Sequence, residues 1–459
     1  MKFNQYYLEC LSHASYLIGD ETTGRAVVVD PQRDVSEYIA DAKELGMTIE
    51  LVIETHFHAD FLSGHLELAE ATGAKIVYSS VAETEFDSMA VADGECYSLG
   101  QVQLEFRHTP GHTPESMSIV IYENADDTVA YGVLTGDTLF IGDVGRPDLL
   151  SSIGFTREQL ADNLYDSLHN KLMTLPDTTR VYPAHGAGSS CGKNLSTELW
   201  STMGEQRMTN YALRARDKKT FMELVTEGQP PAPGYFVYNA MLNRQGRELL
   251  DETEMPAAMT YAEVREAMKA GAILVDGRDP VEFALGHLKG AINIGLEGRY
   301  AEFAGSVIKP DVDLVLMTDP ERELEGKNRL ARIGFDRVIG YLKEPYAVMF
   351  ENQGDVEVAS RLTTNALGER IADVPELQLV DVRNPGETEA GMIAHATNIP
   401  VGQLPDRLGE LDPRKPTVVY CAGGYRSSVA ASMLRQRGFA DVSDVLGGFN
   451  AWDEAIQNA

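Results

Sequence analysis

Apolar residues along this chain come in short runs, each closed by polar residues, glycine or proline, and stretches with helical spacing fall between them. Tyr16 to Gly19 and Ala26 to Asp30 predict two neighbouring strands joined by a turn over Glu21 to Gly24. Val35 to Leu45 carries its apolar residues at helical spacing and is stopped by Gly46. Ile49 to Ile53 predicts a buried strand, Ser63 to Thr72 a helix with a polar start, and Lys75 to Tyr78 the next strand. Further strands are predicted at Val102 to Phe106, Val129 to Leu134 and Val181-Tyr182. Such alternation predicts a layered α/β domain. Glu198 to Arg216 reads as helical. Gln229 to Gly234, with its prolines, is a stiff break, and 235–255 reads as a connecting segment.

Beyond that segment one pattern occurs twice. The first copy runs Ile273-Leu274-Val275-Asp276-Gly277-Arg278, then Glu282, His287 and Ala291-Ile292-Asn293-Ile294. The second runs Leu379-Val380-Asp381-Val382-Arg383, then Glu387, His395 and Ala396-Thr397-Asn398-Ile399. Each continues with a strand (Leu314 to Met317, Thr417 to Tyr420), a loop, a helix ending in Gly-Phe and a last strand (Val338 to Gly340, Val445 to Gly448). Each copy therefore predicts a small parallel-sheet α/β domain.

Length and composition narrow the reading. The 459 residues suggest about three domains. A net charge of -31 repels phosphates and anionic lipid, which argues against nucleic acid or a membrane as a main partner. The cysteines (Cys10, Cys96, Cys191, Cys421) are scattered without a Cys-x-x-Cys spacing, so a disulfide framework is not expected and a reduced cytoplasm is. The N-terminus has no apolar core of signal-peptide length, and no run approaches the ~18 apolar residues of a membrane span.

Candidate chemistry gathers where strands end. Thr55-His56-Phe57-His58-Ala59-Asp60-Phe61 puts two histidines on one side of an extended segment and a carboxylate beside them. Three later loops repeat the logic: His108-Thr109-Pro110-Gly111-His112, Thr135-Gly136-Asp137 and Pro183-Ala184-His185. Ligand-bearing loops in succession, all after strands, point to one shared metal site.

His-x-His-x-Asp, Pro-Gly-His, Gly-Asp and Pro-Ala-His, in this order, resemble the metallo-β-lactamase fold over residues 1–245, which implies an αββα sandwich with the metal at one edge of its two sheets. Two-metal hydrolases of that fold usually carry His where this chain has Phe61, so a single metal is expected. Gly145-Arg146-Pro147-Asp148 and the surroundings of Asp60 are similar to the persulfide dioxygenase branch, not the glyoxalase II branch. That resemblance implies one mononuclear Fe(II) held by His56, His112 and Asp137, with His58, Asp60 and His185 close behind. Two imidazoles and a carboxylate leave open positions for a persulfide and O2, but the same donors suit zinc, so the choice of iron rests on the resemblance. Arg146 is a candidate for holding an anionic thiol carrier, or else closes a loop on Asp148. Cys191, in a Gly/Ser-rich loop beside Lys193, is either a thiol activated for persulfide exchange or an ordinary loop thiol.

In the second copy a strand ends at Cys421-Ala422-Gly423-Gly424-Tyr425-Arg426, and a helix is predicted from about Ser427. Two glycines let the loop curl its N–H groups inward beside a helix N-terminus, and Arg426 adds fixed charge. Such a nest favours a thiolate poised to take a sulfane sulfur. The segment resembles a rhodanese, and its six-residue loop has the sulfurtransferase length of that family. The first copy has Thr318 at the position of Cys421, with acids in place of the glycines, and resembles a degenerate rhodanese domain, a spacer or docking surface. The expected architecture is a metallo-β-lactamase domain (1–245), a degenerate rhodanese domain (246–352) and an active one (353–459).

Together the resemblances imply an enzyme of sulfide detoxification. It would oxidise a low-molecular-weight thiol persulfide of the glutathione, coenzyme A or bacillithiol type with O2 to sulfite, and pass sulfane sulfur through Cys421 to give thiosulfate. The alternative is a zinc thioester hydrolase of the glyoxalase II kind fused to a sulfurtransferase. An even-numbered homo-oligomer is expected of such a metabolic enzyme.

Overall fold

The computed structural model describes residues 1–149, 154–229 and 232–457, so Pro230 and Pro231 of the expected break lie outside the described residues. The chain divides into two compact units: Met1–Ala232 with Phe236–Leu250, and Pro233–Tyr235 with Asp251–Ala459.

The first unit is built on two six-stranded sheets. One holds Lys2–Leu8, His13–Asp20, Arg25–Val29, Thr48–Ile53, Lys75–Ser79 and Met89–Val91, in that order; the other holds Cys96–Ser98, Gln103–His108, Met117–Tyr122, Gly132–Gly136, Arg180–Pro183 and Ser201–Thr202. Strand periodicity sorts the side chains. Val27, Val29, Leu51 and Ile53 point inward and meet Leu104, Phe106, Ile119 and Leu134 of the facing sheet. Val28 and Val52 point outward onto Tyr38, Ala42 and Leu68 of the helices Ser36–Glu44 and His65–Thr72. Val120, Val133 and Val181 do the same on the other side, against Leu164, Leu168 and Phe221. Both sheets are thus buried on both faces, which is the expected αββα sandwich.

Three local expectations shift. The second helix starts at His65, not Ser63, because Ser63 bridges to Gln32 and a Cβ on Gly64 would lie 2.1 Å from the Gln32 carbonyl. Of the helix expected over 198–216, only Met203–Thr209 forms: Ser201–Thr202 is drawn into the sheet edge, and Asn210 turns out of the helix so that its amide donates to the Asp143 carbonyl. The connecting segment contains a helix, Phe236–Leu242, with Phe236 and Asn239 buried.

The second unit contains two five-stranded sheets with one strand order. The first is Ala258–Met259, Val338–Leu342, Leu314–Met317, Ile273–Asp276, Ile292–Asn293; the second is Ser360–Leu362, Val442–Val445, Thr417–Tyr420, Gln378–Asp381, Thr397–Asn398. All pairings within them are parallel. The repeat extends to its polar scaffolding. Arg278 clasps Asp276 with contacts of 3.0 and 2.6 Å, and Arg383 clasps Asp381 with the same two distances. Asn293 and Asn398 each donate to the two backbone carbonyls of their own clasp. The last strand of the second copy ends at Val445, earlier than expected, because Gly447 and Gly448 turn the chain into the helix Gly448–Gln457. No helix among the described residues is long and apolar enough to cross a membrane.

Candidate metal centre and cysteine loop

His56, His112 and Asp137 come from three different loops, and their ligand atoms lie within 4.8 Å of one another, all buried. Asp137 Oδ2 is 3.4 Å from His112 Nε2 and 3.8 Å from His56 Nε2. None of these three atoms has a hydrogen-bond partner. Unpartnered buried donors and acceptors are expensive, so three that converge fit a cation between them.

The surroundings hold each group in its ligand form. His56 Nδ1 lies 3.0 Å from the Thr55 hydroxyl, which is itself 2.9 Å from Asp30. His112 Nδ1 lies 3.0 Å from the Arg146 carbonyl. A proton on each Nδ1 leaves Nε2 as the free lone pair. Burial pushes His56 well below the ordinary imidazole value, with His58 and His112 adding to the effect. Burial likewise lowers His112, against the pull of Asp137. For Asp137 burial acts upward, but His185 and His112 outweigh it and keep the carboxyl below its usual range. Neutral imidazoles and an ionised carboxylate are what a metal requires.

A second group, His58, Asp60 and His185, lies alongside. His185 is held between two carboxylates, with Nδ1 2.6 Å from Asp137 and Nε2 2.8 Å from Asp60. Burial opposes its charge, yet Asp137 and Asp60 raise it well above the ordinary imidazole value. Asp60, despite burial, is held at about 2 by His185. His58 Nε2 faces Asp30 at 3.1 Å and Glu54 at 3.5 Å. The Phe61 ring packs on His58 and on His13, with centroids 4.4 and 4.0 Å apart.

For Arg146 and Cys191 the geometry fits the second of the two readings given for each. Arg146 grips Asp148 through Nε and Nη2 at 2.7 and 2.8 Å, donates to the Ser190 carbonyl and is buried, so it closes the loop on Asp148. Cys191 is buried, its thiol beside Asp137 and His185. Burial, with Asp60 and Asp137, pushes that thiol well above its ordinary value. Lys193 gives it no help, because its ammonium donates to the Leu224 and Glu227 carbonyls.

The segment expected to be a connector contributes residues that sequence reasoning missed. Asn243 donates to the carbonyls of His58 and Phe61 at 2.8 and 2.9 Å and accepts from the Ser63 N–H at 2.9 Å. Arg247 pairs with Glu67 and donates to the Ser63 carbonyl. The helix also walls an open cleft beside the histidine loops, lined by Phe57, Thr113, Phe236 and Met241, with Glu115 and Arg244 as its charged residues. Arg244 lies over the Phe57 ring at 5.2 Å, and its nearest carboxylate, Glu83, is 4.0 Å away and exposed.

In the second unit Cys421 is 2 % exposed and follows the strand Thr417–Tyr420. The helix starts at Tyr425, two residues earlier than expected, so the loop is tighter. Gly424, at φ +110, donates its N–H to Cys421 Sγ at 3.1 Å, and the Ser427 hydroxyl lies 3.6 Å from the same sulfur. The carbonyls of Cys421 and Ala422 accept from the Phe449 and Asn450 N–H groups. Arg426 is paired with Glu387 at 2.6 and 2.7 Å, so its charge is partly compensated. In the first copy Thr318 takes the cysteine's place, and the following Arg322 pairs with Glu325.

With this geometry in place, known proteins can be set beside it. The rhodanese-like domain family matches residues 260–344 and 363–455, and the metallo-beta-lactamase superfamily matches residues 8–88. A crystal structure of a metallo-beta-lactamase from Staphylococcus aureus superposes with a TM-score of 0.67 at 33% identity, covering 75% of this chain and 99% of that one. Persulfide dioxygenase ETHE1 of Bos taurus is 34% identical over 173 residues, 37% of this chain and 63% of the relative's own length. The cytoplasmic hydroxyacylglutathione hydrolase of Arabidopsis thaliana is 34% identical over 183 residues, 39% of this chain and 66% of that one.

Proposed function

Because this chain belongs to the metallo-beta-lactamase superfamily and carries a pair of rhodanese-like domains, we propose that it is a persulfide dioxygenase coupled to a sulfurtransferase. One observation carries the reading: His56 Nε2, His112 Nε2 and Asp137 Oδ2 converge as buried, unpartnered ligand atoms; His58 Nε2, Asp60 Oδ1 and His185 Nε2 alongside are unpartnered too, but there Phe61, which cannot ligate, packs on His58. That donor set fits one mononuclear iron(II). Iron(II) held by these three residues would supply the redox chemistry that joins a thiol persulfide to O2.

The balanced reaction is RSSH + O2 + H2O giving RSH, sulfite and two protons. The carrier's arm lies in the apolar cleft beside Phe57, with its anionic end at Arg244, because Arg146 is already paired with Asp148. At the other site the Cys421 thiolate attacks the outer sulfur of a second persulfide. The carrier leaves as its thiolate and takes up a proton. Sulfite then attacks the outer sulfur of the Cys421 persulfide, its S–S bond breaks, and thiosulfate departs with the thiolate restored. The Gly424 N–H steadies the sulfur through both steps. In the cell this removes sulfide-derived sulfur.

A second reading, a zinc thioester hydrolase joined to a sulfurtransferase, is favoured by the similarity to hydroxyacylglutathione hydrolase. Cys421→Ser tests the coupled scheme. The variant keeps persulfide-dependent O2 uptake and accumulates sulfite instead of thiosulfate, after correction for spontaneous sulfite–persulfide chemistry. Thiosulfate at the wild-type rate would refute the coupling.

A further inference from the structure

The cysteine-less copy is not inert toward its neighbour's loop. One face of the helix Tyr425–Gln436 is fastened to it at three points. The Tyr425 hydroxyl donates to the Gly295 carbonyl at 2.6 Å. Ser428 donates to Asn293 Oδ1 at 2.7 Å, and the Asn293 N–H donates to the Ser432 hydroxyl at 2.9 Å. Positions 425, 428 and 432 share one helical face. The Tyr425 ring also lies so close to Gly298 that a Cβ there would come within 2.3 Å of its Cε2 and 2.5 Å of its Cζ. Phe303 closes over it with ring centroids 5.5 Å apart.

Tyr425 directly follows Gly424, whose N–H holds the Cys421 sulfur and whose φ of +110 only glycine adopts readily. Fixing Tyr425 therefore fixes the peptide that presents the donor to the sulfur. The two copies differ at this asparagine. Asn398, the counterpart of Asn293, makes the same two donations within its own copy, but Asn293 in addition accepts from the helix behind the Cys421 loop. Where the second copy has Tyr425, the first has Arg322, which is spent on Glu325 and Glu297.

We infer that the cysteine-less copy is a clamp for the sulfur-transfer loop: Gly295, Gly298 and Asn293 act as positioning residues that set Tyr425 and, through it, the Gly424 donor at Cys421. This rests on the sulfurtransferase reading, and it gives the degenerate domain a task in catalysis instead of a spacer's.

The test uses the full-length chain with Gly298→Ala and Tyr425→Phe. The first pushes a methyl into the tyrosine ring; the second removes only the hydroxyl that reaches Gly295. Two readouts are taken: sulfur transfer from thiosulfate to cyanide, with kcat and KM separated, and the rate at which iodoacetamide alkylates Cys421. A displaced loop lowers kcat by about tenfold in Gly298→Ala, less in Tyr425→Phe, with KM within about twofold and a changed alkylation rate in both. Gly402→Ala, where a Cβ meets Ser306 at an ordinary 3.8 Å, serves as the matched control and behaves as wild type. Melting followed through Trp452 fluorescence in a Trp200→Phe background shows whether a variant has simply unfolded, in which case Tyr425→Phe, which adds no bulk, decides. Wild-type kcat and alkylation rate in both variants would overturn the clamp. Absence of sulfur transfer in the wild-type protein would overturn the sulfurtransferase reading instead, while the alkylation rates still judge the clamp.

Discussion

Asn243→Ala is the substitution that probes how the histidine loop is held. Asn243 makes three buried hydrogen bonds of 2.8, 2.9 and 2.9 Å to the backbone of His58, Phe61 and Ser63, the segment that carries His58 and Asp60 and follows His56. Alanine leaves two carbonyls and one N–H without partners. Each such group costs about 1–3 kcal/mol, and a water entering the vacated space brings each toward the lower end. The first unit should therefore lose about 3 kcal/mol, which for a unit of this size lowers its melting temperature by about 10 °C. The chain's two tryptophans, Trp200 and Trp452, fall one in each unit, so Trp200 fluorescence in a Trp452→Phe background follows this unit alone. The loop carries the candidate ligands, so the variant should also lose bound metal on dialysis faster than wild type. Asn243→Asp should do no better than alanine, because a carboxylate of the same size faces two carbonyls. A shift below about 2 °C with unchanged metal retention would refute the reasoning.

Two further outcomes follow from charged groups in the same unit. Glu67 is buried between Arg33 and Arg247; burial acts to raise its carboxyl, but the two guanidiniums outweigh it and hold it below the usual glutamate range. Its stabilising contribution is therefore complete above the unfolded value of about 4.3 and is lost as pH falls through the folded value, so Glu67→Gln flattens the acid side of a urea-midpoint profile. Parallel profiles for variant and wild type would contradict this. Arg244→Ala should raise KM for an anionic thiol persulfide by about tenfold and leave kcat within about twofold, because it removes carrier binding and no reacting group; an unchanged KM would mean the carrier's tail does not reach Arg244.

Much of this was legible because the chemistry sits at the ends of apolar strands. His56, His112, Asp137 and His185 each follow or precede a clear strand, so the loops could be counted before their convergence was seen. The Cys421 loop was legible for the same reason, with its glycines marking the curl. What stayed hidden depends on partners with no side-chain signature. Asn243 bonds to backbone carbonyls from just beyond the short helix Phe236–Leu242, and nothing in its local sequence marks it for that task. Arg146 could not be assigned locally, since Asp148 two residues on and a bound anion satisfy a guanidinium equally well. Cys191 stayed open because Lys193, two residues on, is turned toward the Leu224 and Glu227 carbonyls, which the sequence does not show. His13 was overlooked because nothing in its strand announces that it faces Phe61. The clamp on Tyr425 joins residues more than a hundred positions apart, and glycine at 298 gives no hint of the ring it admits.

The central claim is that His56, His112 and Asp137 hold one iron that serves persulfide oxidation. The most direct measurement is metal content together with O2 consumption on glutathione persulfide and coenzyme A persulfide, using protein purified without added metal. The account predicts about one iron per chain and O2 uptake that depends on persulfide, both lost in Asp137→Asn. Zinc in that site, with no O2 uptake after reconstitution with iron and with hydrolysis of an acyl-thioester, would contradict it and put the thioester hydrolase in its place.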